Sequence, residues 1–240
     1  MEPSVTSPFS CFNSPDIAFK VVLFPAPLAP SREVFVGCAK VCAWQVLPTD
    51  SGACYYRRMN LRIAKAAHTI QTGGVIAYPT EGVWGLGCDP YDRQAVLRIL
   101  ELKQRPVSKG LILVAGSIAQ VLPLLQQLTD VQRQVVVDSW PGPNTWIVPV
   151  SGLVPEWITG HHASVAIRVT NHPQLQALCL AVGHVIVSTS ANRAGRPPAT
   201  DRVRVQKVFG RDLDYVLAGK TAGRTQPSHI RHAVSGAVIR

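Results

Sequence analysis

Three cations bracket a proline turn in Lys103-Gln104-Arg105-Pro106-Val107-Ser108-Lys109-Gly110, and an apolar run follows at once. Lys103, Arg105 and Lys109 suit a clamp for phosphate oxygens, which cations bind through charge-assisted hydrogen bonds. A structural explanation covers Lys103 equally well, because a cation near a helix C-terminus complements the macrodipole. It does not cover Arg105 and Lys109. A second block, Ser188-Thr189-Ser190-Ala191-Asn192-Arg193-Ala194-Gly195, leads from an apolar segment into hydroxyl and amide side chains. Ser188, Ser190 and Asn192 offer donors and acceptors for phosphate, ribose or carboxylate. A capped turn facing solvent has the same composition. Arg168 lies inside Val165-Ala166-Ile167-Arg168-Val169. A cation within an apolar strand needs a partner or a cavity.

Two further blocks are less specific. In Pro79-Thr80-Glu81-Gly82-Val83-Trp84-Gly85-Leu86-Gly87 three glycines permit a close backbone approach to a ligand, and Thr80 offers a hydroxyl at a strand end. Taken alone, a tight turn explains it. Trp140-Pro141-Gly142-Pro143-Asn144-Thr145 reads as a rigid corner that leaves Thr145 facing a ligand. Several chemistries are excluded by missing patterns. There is no Walker A loop, no dinucleotide fingerprint and no GxSxG elbow. No HExxH, CxxC pair or acidic cluster suggests a protein-held metal. His161-His162 reads as surface loop, and Cys88 and Cys179 as small core residues. The available chemistry is positive charge, hydroxyls and backbone N–H groups.

The elements that position these residues alternate between strand and helix. Helical spacing runs from Leu61 to about Thr72, and Gly73-Gly74 stops it. Val75 to Tyr78 is a short strand. Asp92 opens a second helix, Ser117 a third, and Thr129-Asp130 a fourth that reaches Trp140. Leu111 to Ala115, Thr145 to Val150, Ser164 to Val169 and His184 to Ser188 read as strands. Pro173 and Gly183 bound another helix, and Thr200 caps one ending at Gly210. This order predicts an α/β fold, a twisted mixed sheet flanked by helices.

Charge divides the chain. It has 240 residues and a net charge of +10, from 24 Lys and Arg against 14 Asp and Glu. Residues 1–58 hold four of the six cysteines and seven of the nineteen prolines, yet only five basic and four acidic residues. The excess therefore belongs to residues 59–240 and points to a phosphate-bearing partner. Residues 1–58 are expected to be an unstructured appendage, or translation from a start upstream of Met59. No stretch nears the run of about 18 apolar residues that a membrane span needs. Aromatics are 7%, too sparse for a broad base-stacking platform.

Together, Pro79-Thr80-Glu81, Lys103-Gln104-Arg105-Pro106 with Lys109-Gly110-Leu111, Trp140-Pro141-Gly142-Pro143, Ala166-Ile167-Arg168-Val169 and Ser188-Thr189-Ser190-Ala191-Asn192 closely resemble the YrdC/TsaC family of bacterial threonylcarbamoyl-AMP synthases. The resemblance runs from about Met59 to the C-terminus. It implies a YrdC-like α/β domain with a positively charged cavity. It implies synthesis of threonylcarbamoyl-adenylate and pyrophosphate from L-threonine, bicarbonate and ATP, for tRNA t6A37 modification by a separate transfer complex in the cytoplasm. Mg²⁺ would accompany ATP, with no metal held by the protein.

Carried over residue by residue, Thr80 and Arg168 would contact threonine. Lys103, Arg105, Lys109, Thr145, Ser188, Ser190, Asn192 and Ser228 would bind ATP and its phosphates. Gly82, Trp84 and His232 depart from the family's usual residues. On this resemblance, the second domain of longer relatives is not expected. A different reading of the same charge is a non-enzymatic module binding tRNA or double-stranded RNA through its backbone. That reading leaves Thr80 and the serine-rich block unexplained.

Overall fold

The computed structural model describes residues 44–48, 54–58, 60–150, 152–224 and 228–239. The chain forms two units, Met1–Met59 and Asn60–Arg240. In the first, β1 (Trp44–Pro48) and β2 (Cys54–Arg58) pair antiparallel, Trp44 opposite Arg58 and Pro48 opposite Cys54. The rest of the expected appendage lies outside the described residues.

The second unit begins with α1 (Leu61–Gln71), capped by Asn60, whose Oδ1 accepts from the Arg62 N–H at 2.9 Å. There follow β3 (Ile76–Pro79), β4 (Trp84–Gly87) and α2 (Arg93–Lys103). Asp92 caps α2 through the N–H groups of Gln94 and Ala95, and Gln104 ends it in a left-handed conformation. Then come β5 (Ile112–Ala115), α3 (Asp130–Asp138), β6 (Asn144–Pro149), α4 (Glu156–Thr159) and β7 (Ser164–Val169). Thr129 and Gln132 form a capping box on α3. The chain closes with α5 (Pro173–Val182), β8 (Ile186–Ser190), α6 (Arg202–Phe209), β9 (Tyr215–Val216) and β10 (His229–His232).

Eight strands form one mixed sheet in the order β10-β6-β7-β5-β8-β4-β3-β9. The pairs β10–β6, β5–β7 and β3–β9 are parallel, and the others antiparallel. Period-two alternation sorts the central strands into two faces. Val165, Ile167 and Val169 of β7 enter a core with Leu113, Trp146, Val148 and Val187. Val96, Ile99 and Leu100 of α2 seal that core. Ser164, Ala166 and Arg168 take the opposite face with Ile112, Thr145 and Ser188, and these residues line a cavity. Elsewhere α1 and α5 pack on each other and onto β3. Cys88 and Cys179 are buried thiols.

Several boundaries differ from expectation. Ser117 opens only a 3-10 turn, Ile118–Gln120, and its side chain caps nothing. The cap of α6 is Asp201, not Thr200; its carboxylate accepts from the Arg204 N–H at 2.8 Å. Strand β8 starts two residues later than expected and runs through Ser190, so Ser188 and Ser190 belong to a strand rather than a loop. The glycine-rich stretch 79–87 contains β4. Its glycines make room for close-packed protein, and Gly82 and Gly85 also border the cavity. A Cβ on Gly87 would stand 2.4 Å from the Val187 carbonyl and 2.7 Å from the Tyr78 ring. One on Gly82 would meet the Arg224 carbonyl at 2.8 Å.

Candidate active site

The cavity on the sheet's open face measures about 800 Å³. Eight of the ten site residues expected from sequence line it: Thr80, Arg105, Lys109, Thr145, Arg168, Ser188, Ser190 and Ser228. The other two, Lys103 and Asn192, line an adjoining recess of about 270 Å³ that shares Arg105, Lys109, Thr189 and Ser190 with it. Four of the large cavity's lining side chains are Arg or Lys (Arg105, Lys109, Arg168 and Arg224), and one is a carboxylate, Glu81. Its volume suits a nucleotide-sized ligand.

Sheet registers account for this convergence. The end of β8 carries Ser188 and Ser190 beside β4, with Gly85 opposite Ser190. Parallel pairing of β10 with β6 sets Ile230 beside Thr145. The preceding Ser228 then accepts a hydrogen bond from Thr145 Oγ1, at 3.2 Å. Thr80 lies in the turn from β3 to β4. Its hydroxyl donates to the Val83 carbonyl at 2.7 Å, which leaves its lone pairs for a ligand donor. Lys109 ends the 3-10 turn Val107–Lys109 on the rim. His162, read from sequence as surface loop, is exposed yet also borders the cavity.

Lys103 behaves differently from a free phosphate ligand. It is buried, and its ammonium donates to the Ser190 carbonyl, to the Asn192 carbonyl at 2.9 Å and to Asn192 Oδ1 at 3.2 Å. An ammonium has three N–H donors, so the end of β8 and the loop after it occupy them all. Burial, and next the nearby Arg105 charge, pull its pKa down to about 8. Ser190 Oγ donates to Asn192 Oδ1 at 2.6 Å, and Asn192 Nδ2 reaches the carbonyls of Arg193 and Arg196. Lys103, Ser190 and Asn192 thus form one internally bonded unit behind Arg105. Arg105 Nη2 donates to the Gly110 carbonyl at 3.1 Å, and burial lowers its pKa.

Glu81 is the site residue that sequence analysis missed. Its side chain is only 8% exposed and its Oε2 lies 3.3 Å from Arg168 Nη1. Thr170 Oγ1 donates to its Oε1 at 2.6 Å. Burial favours the neutral acid, but the Arg168 charge and then the Thr170 hydroxyl outweigh it and hold the carboxyl below the usual range. The signal was present in part: a cation inside an apolar strand required a partner, but the sequence did not say which. Among the described residues, three buried side-chain atoms lack a hydrogen-bond partner: Glu81 Oε2, Arg105 Nε and Arg168 Nε. All three belong to residues that line the cavity. Native interiors satisfy such groups almost completely, so these three leave donor and acceptor capacity for a polar ligand or water in the cavity. Among the described residues no three His, Cys, Asp or Glu side chains gather to hold a metal ion.

A profile of the Sua5/YciO/YrdC family, described as "Telomere recombination", matches residues 68–240. The chain belongs to the Sua5/YciO/YrdC family. A threonylcarbamoyl-AMP synthase of Cellvibrio japonicus is 52% identical over 182 residues, which are 76% of this chain and 96% of that protein. A threonylcarbamoyl-AMP synthase of Pseudomonas paraeruginosa is 55% identical over 181 residues, 75% of this chain and 97% of that one. Among solved structures, P. abyssi Sua5 complexed with L-threonine superposes with a TM-score of 0.68 at 32% identity, covering 73% of this chain and 52% of the Sua5 chain. The Sua5/YciO/YrdC fold thus accounts for the mixed eight-stranded sheet.

Proposed function

We propose that residues 59–240 form a threonylcarbamoyl-AMP synthase. It converts L-threonine, bicarbonate and ATP to threonylcarbamoyl-adenylate and pyrophosphate, an adenylyl transfer. Support comes first from the 52–55% identity to synthases of that name along nearly their whole length. The observation that carries the reading is the cavity itself. Cations and hydroxyls converge there, and its one carboxylate is engaged by Arg168 and Thr170.

That inventory fits the chemistry. The amine of threonine condenses with bicarbonate to a carbamate, releasing water, and needs no enzymic nucleophile. A carbamate oxygen then attacks the α-phosphorus of ATP, and pyrophosphate leaves. The barrier lies largely in bringing anions together in line, which calls for positioned cations and N–H donors. Arg105 and Lys109 would meet the phosphates, with Ser188, Ser190, Thr145 and Ser228 along the adenylate. Arg168 and Thr80 would meet threonine. Lys103 and Asn192 would act from behind, holding the loop after β8. Mg²⁺ arriving with ATP would be held by phosphate oxygens and water, since the cavity spares no carboxylate for it; bound there, it offsets phosphate charge.

The product would pass to a complex that transfers the threonylcarbamoyl group to tRNA in the cytoplasm. No described helix is long and apolar enough to cross a membrane. A module that only binds RNA is not favoured, since backbone charge recognition does not require converging hydroxyls and buried unpartnered guanidinium atoms. The test supplies ATP, Mg²⁺, L-threonine and labelled bicarbonate. Threonine-dependent label in a nucleotide adduct, with pyrophosphate released, is expected. A folded protein that makes no adduct overturns the reading.

A further inference from the structure

We propose that Glu81 is a positioning residue of this site: it anchors the Arg168 guanidinium by one nitrogen, so that the remaining N–H groups present a carboxylate receptor to the amino-acid substrate. The inference rests on the reading of the cavity as a site for L-threonine and ATP.

The anchor is the end of a chain of oriented groups. His172 is the N-cap of α5, and its backbone N–H donates to Thr170 Oγ1 at 3.1 Å. Thr170 therefore directs its own proton to Glu81 Oε1, at 2.6 Å. The Glu81 carbonyl accepts from the Arg224 N–H at 2.9 Å, which fixes the backbone of the turn. The backbone of the turn and one carboxylate oxygen are thereby held, and the second oxygen forms an ion pair with Arg168 Nη1 at 3.3 Å. His172 itself is kept in place by its Nε2, 3.1 Å from the Lys220 carbonyl.

The contact between Glu81 and Arg168 leaves unused capacity. A guanidinium has five N–H donors in a rigid fork. Arg168 lines the cavity, and its Nε is buried without a hydrogen-bond partner. Such an arginine offers directed donors while much of its charge is already balanced. That suits one carboxylate better than a triphosphate. Arg105 and Lys109 border the same cavity, and no carboxylate pairs with either among the described residues. They suit the polyanion. Glu81 would therefore direct the single carboxylate to Arg168 and leave the polyanion to Arg105 and Lys109.

The test uses the full chain and the variants Glu81→Gln, Glu81→Ala and Thr170→Val. L-Threonine binding is measured by calorimetry, and the KM for threonine and for ATP by adduct formation. Glu81→Gln keeps the size and the acceptor for Thr170 but removes the charge, so it guards against a misfolded alanine variant. Glu81→Ala is expected to weaken threonine about tenfold or more, the scale of a lost charge-assisted interaction. Glu81→Gln and Thr170→Val should fall between it and the parent. The KM for ATP should stay within about twofold, because the phosphate cations are untouched. Pyrophosphate should become a stronger competitor of threonine in Glu81→Gln, since Arg168 then carries an unbalanced charge. Equal weakening of both substrates, or unchanged threonine binding in Glu81→Gln, overturns the inference and leaves the synthase reading intact. A parent protein that binds no threonine overturns both.

Discussion

The Lys103 ammonium lies 2.9 Å from the Asn192 carbonyl, so the last residue of α2 holds the loop that follows β8. The same ammonium reaches the Ser190 carbonyl and Asn192 Oδ1. Two blocks that sequence analysis treated as separate phosphate ligands are therefore one mechanical unit. Lys103→Met, which keeps the stem and removes the donors, should cost stability as well as activity. Hydrogen bonds to charged groups are worth roughly 1.5–3 kcal/mol. In a domain of this size that lowers the Tm by several degrees. A Tm equal to the parent's would sink the tether.

The same lysine carries a pH signature. Its pKa is about 8 in the folded chain, below the ordinary lysine value. Below pH 8 it is charged in both states, and the desolvation of that charge offsets part of what its hydrogen bonds contribute. Between about 8 and 10.5 the unfolded chain binds more protons than the folded one, so this group's contribution to stability rises with pH. The stability difference, parent minus Lys103→Met, should therefore grow across that window. Denaturant titrations at pH 7, 8.5 and 10 would read it, and parallel profiles would refute it.

Arg105 faces the cavity without the full set of bonds that engages Lys103. Its Nε has no partner, and its Nη2 meets only the carbonyls of Lys109 and Gly110. Arg105→Ala is expected to lower adduct formation at subsaturating ATP by about tenfold or more. The KM for threonine should move little. Rates equal to the parent's would remove Arg105 from the phosphate clamp.

Gly87 faces the Val187 carbonyl and the buried Tyr78 ring. Tyr78 is itself fixed, its hydroxyl donating to the Val187 carbonyl at 3.1 Å. Gly87→Ala must therefore force β4 away from β8, at roughly 1–3 kcal/mol for an overpacked methyl group. Because β4 borders the cavity, activity should fall with stability. A thermal melt of the variant measures the cost, and no change in Tm would contradict the packing.

A chain beginning at Met59 should fold and make the adduct at the parent's rate. The relatives align over 75–76% of this chain, and the family profile starts at residue 68. Activity assays on the full chain and on residues 59–240 side by side check this. Loss of activity on truncation would give the N-terminal unit a role.

Sequence by itself determined much of the frame. Hydrophobic periodicity and caps such as Asp92, Thr129 and the Pro173–Gly183 pair located most helices and strands, because those signals are local. Hydroxyls and cations at and near strand ends point to nine site residues and the family resemblance adds Ser228; all ten line the cavity or its adjoining recess. Within the second unit, strands β4, β9 and β10 were not legible. Gly85 and Gly87 read as turn residues until Tyr78 is seen to occupy the space a Cβ would take. The other two are short, and pairing with β3 and β6 defines them. Tertiary structure alone decided which side chains meet. It paired Glu81 with Arg168, and it turned Lys103 from the cavity toward Asn192. The physical reason is the same in both cases. A buried charge must be compensated by whatever group the fold brings beside it, and that neighbour is set by sheet order rather than by distance along the chain.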